Sequence, residues 1–147
     1  MTDLHPFFVH FPIALLIVAV FFDFHGALKS MLSSTKTAFI LQVTASIGAL
    51  LAAISGNAVE SKIVEQEKLF RGISEALTSH VSWGNATVWI ILGVLLGRIF
   101  TMLEQKSWAP KVWVFSTLSL SLAILVLLTG LMGGKLSQEI LQYFIEH

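Results

Sequence analysis

The sequence predicts an all-α protein, a polytopic membrane four-helix bundle, and three observations support this fold class. First, 55% of the residues are hydrophobic and only 12% are charged, which is about half the charged fraction of a typical soluble domain. Second, four apolar runs are each long enough to cross about 30 Å of hydrocarbon as a helix. Third, polar segments separate these runs. We expect one domain over residues 1–147, with the lipid bilayer as its surroundings.

The four predicted spans cover residues 7–24, 37–55, 82–100 and 112–131. Small residues recur at spacings of four in and just after the second span, a pattern that lets helices approach closely in a membrane. These residues are Gly48, Ala52 and Gly56. The spans are expected to run antiparallel to one another in chain order.

Residues 59–79, between the second and third spans, are polar but patterned. Apolar side chains that share one helical face recur through this segment, at Ile63, Phe70, Ile73 and Leu77. The pattern predicts an amphipathic helix on the membrane surface or folded over the end of the bundle. A solvated linker is the alternative interpretation.

Composition excludes several classes of function. The chain has no cysteine, so disulfides, thiolate metal sites, iron–sulfur clusters and cysteine catalysis are ruled out. The formal net charge is zero and no basic run is present, so we expect no nucleic-acid partner.

The most unusual stretch opens the first apolar run, where His10 lies about one helical turn inside the hydrocarbon. A titratable side chain at that depth is costly and usually faces a protein interior, a cavity or a ligand. Antiparallel packing brings further candidate ligands to the same end of the bundle, namely His5, Glu60 and His80. This end, with three of the five histidines, is the predicted functional site.

His80 and Gly84 are four residues apart and therefore stack on one helix face. A glycine one turn from an imidazole leaves the flat space that a porphyrin needs, and Gly133 and Gly134 offer similar clearance on the fourth helix. Two imidazoles can ligate haem iron from both sides, which favours electron transfer over oxygen chemistry. Structural roles remain open alternatives: His10 as a hydrogen-bonded core residue, and the glycines as packing residues.

The residues from His5 to Leu15 read HPFFVHFPIAL. This motif resembles the HPxxVHFPIAL opening of bacterial four-helix membrane proteins catalogued as a domain of unknown function, number twenty-two thirty-one. Three further segments resemble that family: Ser55 to Glu60, His80 to Gly84, and Thr129 to Gly134. Many members carry a histidine soon after the Gly-Gly pair, and this chain has none there. The resemblance implies a redox setting, because such domains often occur beside cytochrome c or Rieske-type modules.

The leading hypothesis is a haem-b-binding, cytochrome-like electron-transfer protein with His10 and His80 as axial ligands. His5 or Glu60 would orient an imidazole or bind a propionate. The alternatives are a divalent-metal site of His5, His10, Glu60 and His80 in a transporter or membrane enzyme, and a non-catalytic accessory subunit. We expect a redox carrier rather than a self-contained enzyme, with a cytochrome c, a Rieske-type protein or a second copy of the chain as partner.

We expect a multi-pass protein of the bacterial inner membrane. Five lysines and arginines are assigned to the loops at the end away from His10, against four at the His10 end. The positive-inside rule therefore predicts that both termini lie outside the cytoplasm.

Overall fold

The computed structural model describes the backbone of residues 5–65, 71–104 and 109–146. Side chains are described within these ranges except at 5–7, 59, 62–65, 71–74, 109–110, 139–141 and 143–146.

Four antiparallel helices make up the described chain: α1 (His5–Lys29), α2 (Leu32–Glu65), α3 (Arg71–Leu103) and α4 (Ala109–Glu146). Each helix packs against its neighbours in chain order, and α4 also packs against α1, which closes the bundle. We call the end that holds the start of α1 and the end of α4 the terminal end. The opposite end, with the tight α1–α2 turn, is the turn end. The predicted all-α bundle is confirmed.

All four helices are long and apolar enough to cross a membrane, over Phe8–Lys29, Leu32–Ala58, Glu75–Leu103 and Lys111–Gln138. Each of these segments overlaps one predicted span. The helices α2, α3 and α4 contain 34, 33 and 38 residues, hence about 50 Å or more at 1.5 Å per residue. They therefore exceed about 30 Å of hydrocarbon and extend beyond it.

The separate amphipathic helix predicted for residues 59–79 is not an element of the described chain. Residues 59–65 continue α2 and residues 71–79 begin α3, while 66–70 lie outside the described residues. Part of the predicted apolar face is nevertheless buried, because Leu77 packs with Val81 against Leu136 of α4. The apolar periodicity within residues 59–79 therefore belongs to the extended ends of α2 and α3. Periodicity alone does not distinguish such extensions from a separate surface helix.

The middle of the bundle is a core of buried apolar side chains that we call the apolar layer. It consists of buried side chains from all four helices: Leu16, Ala45, Ala49, Ile91, Leu122 and Val126. The alanines belong to α2, where small residues let neighbouring backbones approach. These alanines lie beside the predicted series of Gly48, Ala52 and Gly56, of which Gly48 makes a close contact with α1.

Two glycines mark close contacts between α1 and α2. A Cβ on Gly48 would lie 3.3 Å from both Phe11 Cδ1 and Pro12 Cδ, and a Cβ on Gly26 would lie 2.6 Å from Thr35 Oγ1. Gly26 lies inside α1 and does not end it. The helix ends at Lys29 and Ser30 takes a left-handed conformation with φ of 52°.

Candidate functional site

A cleft of about 90 Å³ opens within the terminal half of the bundle. All four helices contribute to it, and most of its wall consists of apolar or small residues. Those with the smallest side chains are Ala49, Ala52, Ala53, Gly56, Gly84 and Gly130. A mostly apolar cleft with a few polar groups is the usual form of a small-molecule site. We call it the terminal cleft.

Among the described residues that line the terminal cleft, His80 of α3 is the ionisable one. Its half-buried ring lies against Gly133 of α4. A Cβ added to Gly133 would be 2.8 Å from His80 Cε1 and 3.0 Å from Nε2, closer than van der Waals contact allows. The absence of a side chain at Gly133 therefore leaves the space that the imidazole ring of His80 occupies. This role differs from the cofactor clearance that the sequence suggested.

Gly84 lies one helical turn after His80 and also lines the terminal cleft. Apart from the neighbouring backbone of α3 itself, no described atom lies within 4 Å of the position that its Cβ would take. The glycine is therefore not a contact point between helices within the described chain. It leaves open space in the cleft wall one helical turn from His80.

Hydrogen bonds between helices form the polar part of the cleft wall. Asn85 Nδ2 donates to Asn57 Oδ1 over 3.1 Å and joins α3 to α2. The hydroxyls of Thr87 and Thr129, 3.1 Å apart, join α3 to α4. These bonds fix the register of three helices around His80, because polar groups in a membrane interior need partners.

The other predicted site residues are placed differently. His10 is exposed, Glu60 is half-buried, and neither lines the terminal cleft. Gly134 is exposed and a Cβ there would meet no described atom within 4 Å. The side chain of His5 lies outside the described residues. The structure thus brings His80, Gly84 and Gly133 together, and it does not place His10 in the cleft wall.

Metal ligands are not clustered in the part of the chain that the structure describes. Within it, no three His, Cys, Asp or Glu side chains lie close enough to hold a metal ion. The four-residue divalent site predicted from the sequence includes His5, whose side chain is outside that part.

A second polar group, which the sequence analysis missed, lies in the turn half of the bundle. Arg98 of α3 and Asp23 of α1 form a salt bridge with side-chain exposures of 1% and 0%. Arg98 Nη1 donates to Asp23 Oδ2 over 2.9 Å, and Nη2 donates to Oδ1 over 2.5 Å. Arg98, one of the five basic residues assigned to loops in the predicted orientation, lies inside α3, and Asp23 lies inside α1.

Residues of the other two helices, α2 and α4, form hydrogen bonds with this salt bridge. Gln42 Oε1 accepts from Arg98 Nη1 over 3.1 Å, and the carbonyl of Thr35 accepts from Nη2 over 3.1 Å. Ser119 of α4 donates to Asp23 Oδ2 over 2.6 Å. We call Asp23, Thr35, Gln42, Arg98 and Ser119 the buried ion-pair centre. The sequence feature that points to this centre is the presence of two charged residues inside apolar helices. Such residues usually pair when they face the interior of a bundle.

The family model described as "Predicted membrane protein (DUF2231)" matches residues 2–141. The chain belongs to this family. No curated protein and no solved structure matches it. Membership agrees with the four membrane-spanning helices, and it confirms the family that the opening HPFFVHFPIAL stretch suggested. The family's description states a membrane location and no activity, so the chemistry of this DUF2231 protein has to be argued from its own residues.

Proposed function

We propose that this DUF2231 protein is a small integral membrane electron-transfer protein that binds haem b in the terminal cleft. The observation that carries the proposal is the placement of His80. Its imidazole lies in the wall of an apolar cleft and packs closely against Gly133. The space at Gly84, one helical turn away in the same wall, is open. Haem when bound supplies one-electron chemistry, and a histidine nitrogen is its commonest protein ligand.

The described residues could supply one ligand to the haem iron and part of the apolar surroundings of the haem. Imidazole is a suitable iron ligand, and small side chains of α2 and α3 line the cleft, which would have to widen from about 90 Å³ to take a porphyrin. His80 is the proposed ligand, and Gly133 holds its ring in place. The hydrogen bonds of Asn57 with Asn85 and of Thr87 with Thr129 keep the cleft wall in register.

A second ligand to the iron would have to come from outside the described cleft wall. His10 is the histidine that the sequence favours, but its side chain is exposed and outside the cleft wall. A protein with His80 alone would hold iron with an open position, whereas ligation by His10 as well would close it and give a low-spin spectrum. Spectra of His10→Ala therefore report whether one or two histidines ligate.

The deciding experiment is the visible absorption spectrum of protein purified in mild detergent. We expect a Soret band in the wild type and its loss in His80→Ala. His25→Ala is the matched control, because His25 lies at the turn end and hydrogen-bonds Ser34 over 2.9 Å. A Soret band that survives His80→Ala would refute the assignment of the ligand. A colourless wild-type protein with one equivalent of divalent metal would support the metal-site alternative.

A structural accessory role is the second candidate, and the interhelical hydrogen bonds favour it. The asparagine and threonine pairs at the cleft would then serve only to fix helix register. This role predicts wild-type protein with neither haem nor metal. A cytochrome c or Rieske-type protein as electron partner is part of the haem proposal, and it rests on the family resemblance.

A further inference from the structure

The buried ion-pair centre is separate from the terminal cleft and is not used by the proposed function. Its five residues come from all four helices, and the side chains of Asp23, Gln42 and Arg98 are at most 1% exposed. Charged side chains inside membrane-spanning helices are rare and expensive, and they generally mark a functional site. A buried ion pair is weak evidence for stability, since apolar residues often replace such pairs without loss.

The amide of Gln42 has only one possible orientation in this centre. A guanidinium carries donors and no acceptor, so Gln42 must turn Oε1 towards Arg98, as the 3.1 Å contact shows. The Nε2 donor then points away from the arginine. Among the residues that the structure describes, this buried nitrogen has no acceptor. Leaving a buried donor without an acceptor is unfavourable, so a ligand with an acceptor oxygen is favoured there.

A cavity of about 290 Å³ lies beside the centre at the turn end. It is lined by residues of the α1–α2 turn and by Val112 and Trp113 of α4. Thr35 connects the two features, because it lines this cavity while its carbonyl accepts from Arg98. A water molecule occupies roughly 30 Å³ in the liquid, so the cavity has room for several.

On its other side the centre meets the apolar layer. Leu16 and Ile91 are each 1% exposed, and Leu122 is 2% exposed. A close-packed apolar region of this kind excludes water. Any polar path from the turn end therefore stops before it reaches Thr87, Thr129 and His80.

We propose that the buried ion-pair centre is a hydrated site with access from one side only. Water enters from the turn-end cavity past Thr35, accepts a hydrogen bond from Gln42 Nε2 and reaches the Asp23–Arg98 pair. The apolar layer stops it from crossing to the terminal cleft. The ligand class is a small neutral hydrogen-bond acceptor, and the site is an aqueous half-channel in the turn half of the bundle.

Cysteine reactivity tests this proposal, because the chain has no native cysteine. Ser119→Cys places a thiol in the centre, and Ala123→Cys places one on the same face of α4, one turn further towards the apolar layer. Both positions are buried, at 2% and 6% exposure. Only the thiolate reacts, and a thiol in dry apolar surroundings stays protonated. With methyl methanethiosulfonate on protein in liposomes, we expect Ser119→Cys to react at least about tenfold faster than Ala123→Cys.

Equal and slow reaction at the two cysteines, with full reaction after denaturation, would refute the proposal. A second measurement avoids any change in the centre. The chain has two arginines, Arg71 and Arg98, so protein labelled with ¹⁵N-arginine and carrying Arg71→Lys gives guanidinium signals from Arg98 alone. The proposal predicts cross-peaks between these signals and water, and their absence in folded protein would contradict it. Neither measurement depends on haem binding.

Discussion

His80 and Arg98 stand on the same helix, α3, in opposite kinds of surroundings. His80 lies beside small and apolar side chains with open space next to it. Arg98, by contrast, hydrogen-bonds to Asp23, Gln42 and the Thr35 carbonyl. Its Cζ also lies 5.5 Å from the centroid of the Phe115 ring. An imidazole beside open space is suited to bind a ligand. A guanidinium with this many partners joins α3 to α1 and α2, and removing Asp23 leaves its buried charge without a counter-charge.

The first prediction concerns that charge. Asp23→Leu should destabilise the protein by roughly 3–5 kcal/mol, because Arg98 is left buried and unpaired. The double variant Asp23→Leu, Arg98→Leu should recover much of the loss. Thermal unfolding in detergent measures both. The control is Glu104→Gln in the exposed Lys111–Glu104 pair, for which we expect a change of about 1 kcal/mol or less. A double variant as unstable as the single one would show that the unpaired charge is not the cause.

At the scale of helices, close contacts depend on single glycines. α1 approaches α2 at Gly48 and Gly26, and α3 approaches α4 where His80 meets Gly133. The sequence predicted small-residue packing for α2, because that signal is periodic. It did not distinguish Gly133 from Gly134, since only the three-dimensional placement of the His80 ring separates these neighbours.

The second prediction uses those neighbouring glycines. Gly133→Ala should displace the His80 ring, because its Cβ would lie 2.8 Å from Cε1, while Gly134→Ala should not, because its Cβ meets no described atom within 4 Å. The ring ends a side chain that can rotate, so the change should move the imidazole more than it lowers stability. NMR of ¹⁵N-histidine-labelled protein, with the His80 signals assigned by their loss in His80→Ala, detects the movement. Equal spectra for the two alanine variants would contradict the contact.

Across the whole molecule, the apolar layer divides two polar regions, the terminal cleft and the buried ion-pair centre. Hydropathy and small-residue spacing were sufficient to predict four antiparallel helices and the end at which His80 lies. They could not place Asp23 and Arg98, because their pairing depends on the rotation of two distant helices. The same limit applies to His10, whose side chain is set by the rotation of α1 and lies outside the cleft wall.

The burial of Arg98 also changes the argument for orientation. Without it, the turn end and the terminal end carry four basic residues each. The lysines and arginines that flank the first span then decide the predicted orientation, since the first span usually dominates topology. Lys29 lies at its turn end, and residues 1–10 at its other end contain no lysine or arginine. We therefore still propose that both termini face away from the cytoplasm.

The third prediction tests this orientation with two exposed positions on α2, Ser33 and Ser61. In intact cells, a thiol reagent that cannot cross membranes should label Ser61→Cys, at the terminal end, and spare Ser33→Cys, at the turn end. Each cysteine should react once the membrane is permeabilised, which controls for folding and access. The reverse pattern in intact cells would overturn the proposed orientation.

The central claim is that a flat cofactor occupies the terminal cleft beside His80, and a pair of leucine substitutions on α3 tests it most directly. A Cβ on Gly84 or on Gly93 would meet no described atom within 4 Å, but only Gly84 lines the cleft. Leucine is a good helix former and is compatible with lipid, so both variants should fold. The measurement is haem bound per protein. We expect little or no haem in Gly84→Leu and the wild-type amount in Gly93→Leu. Equal haem content in the two variants, or no haem in the wild type, would contradict binding in the terminal cleft.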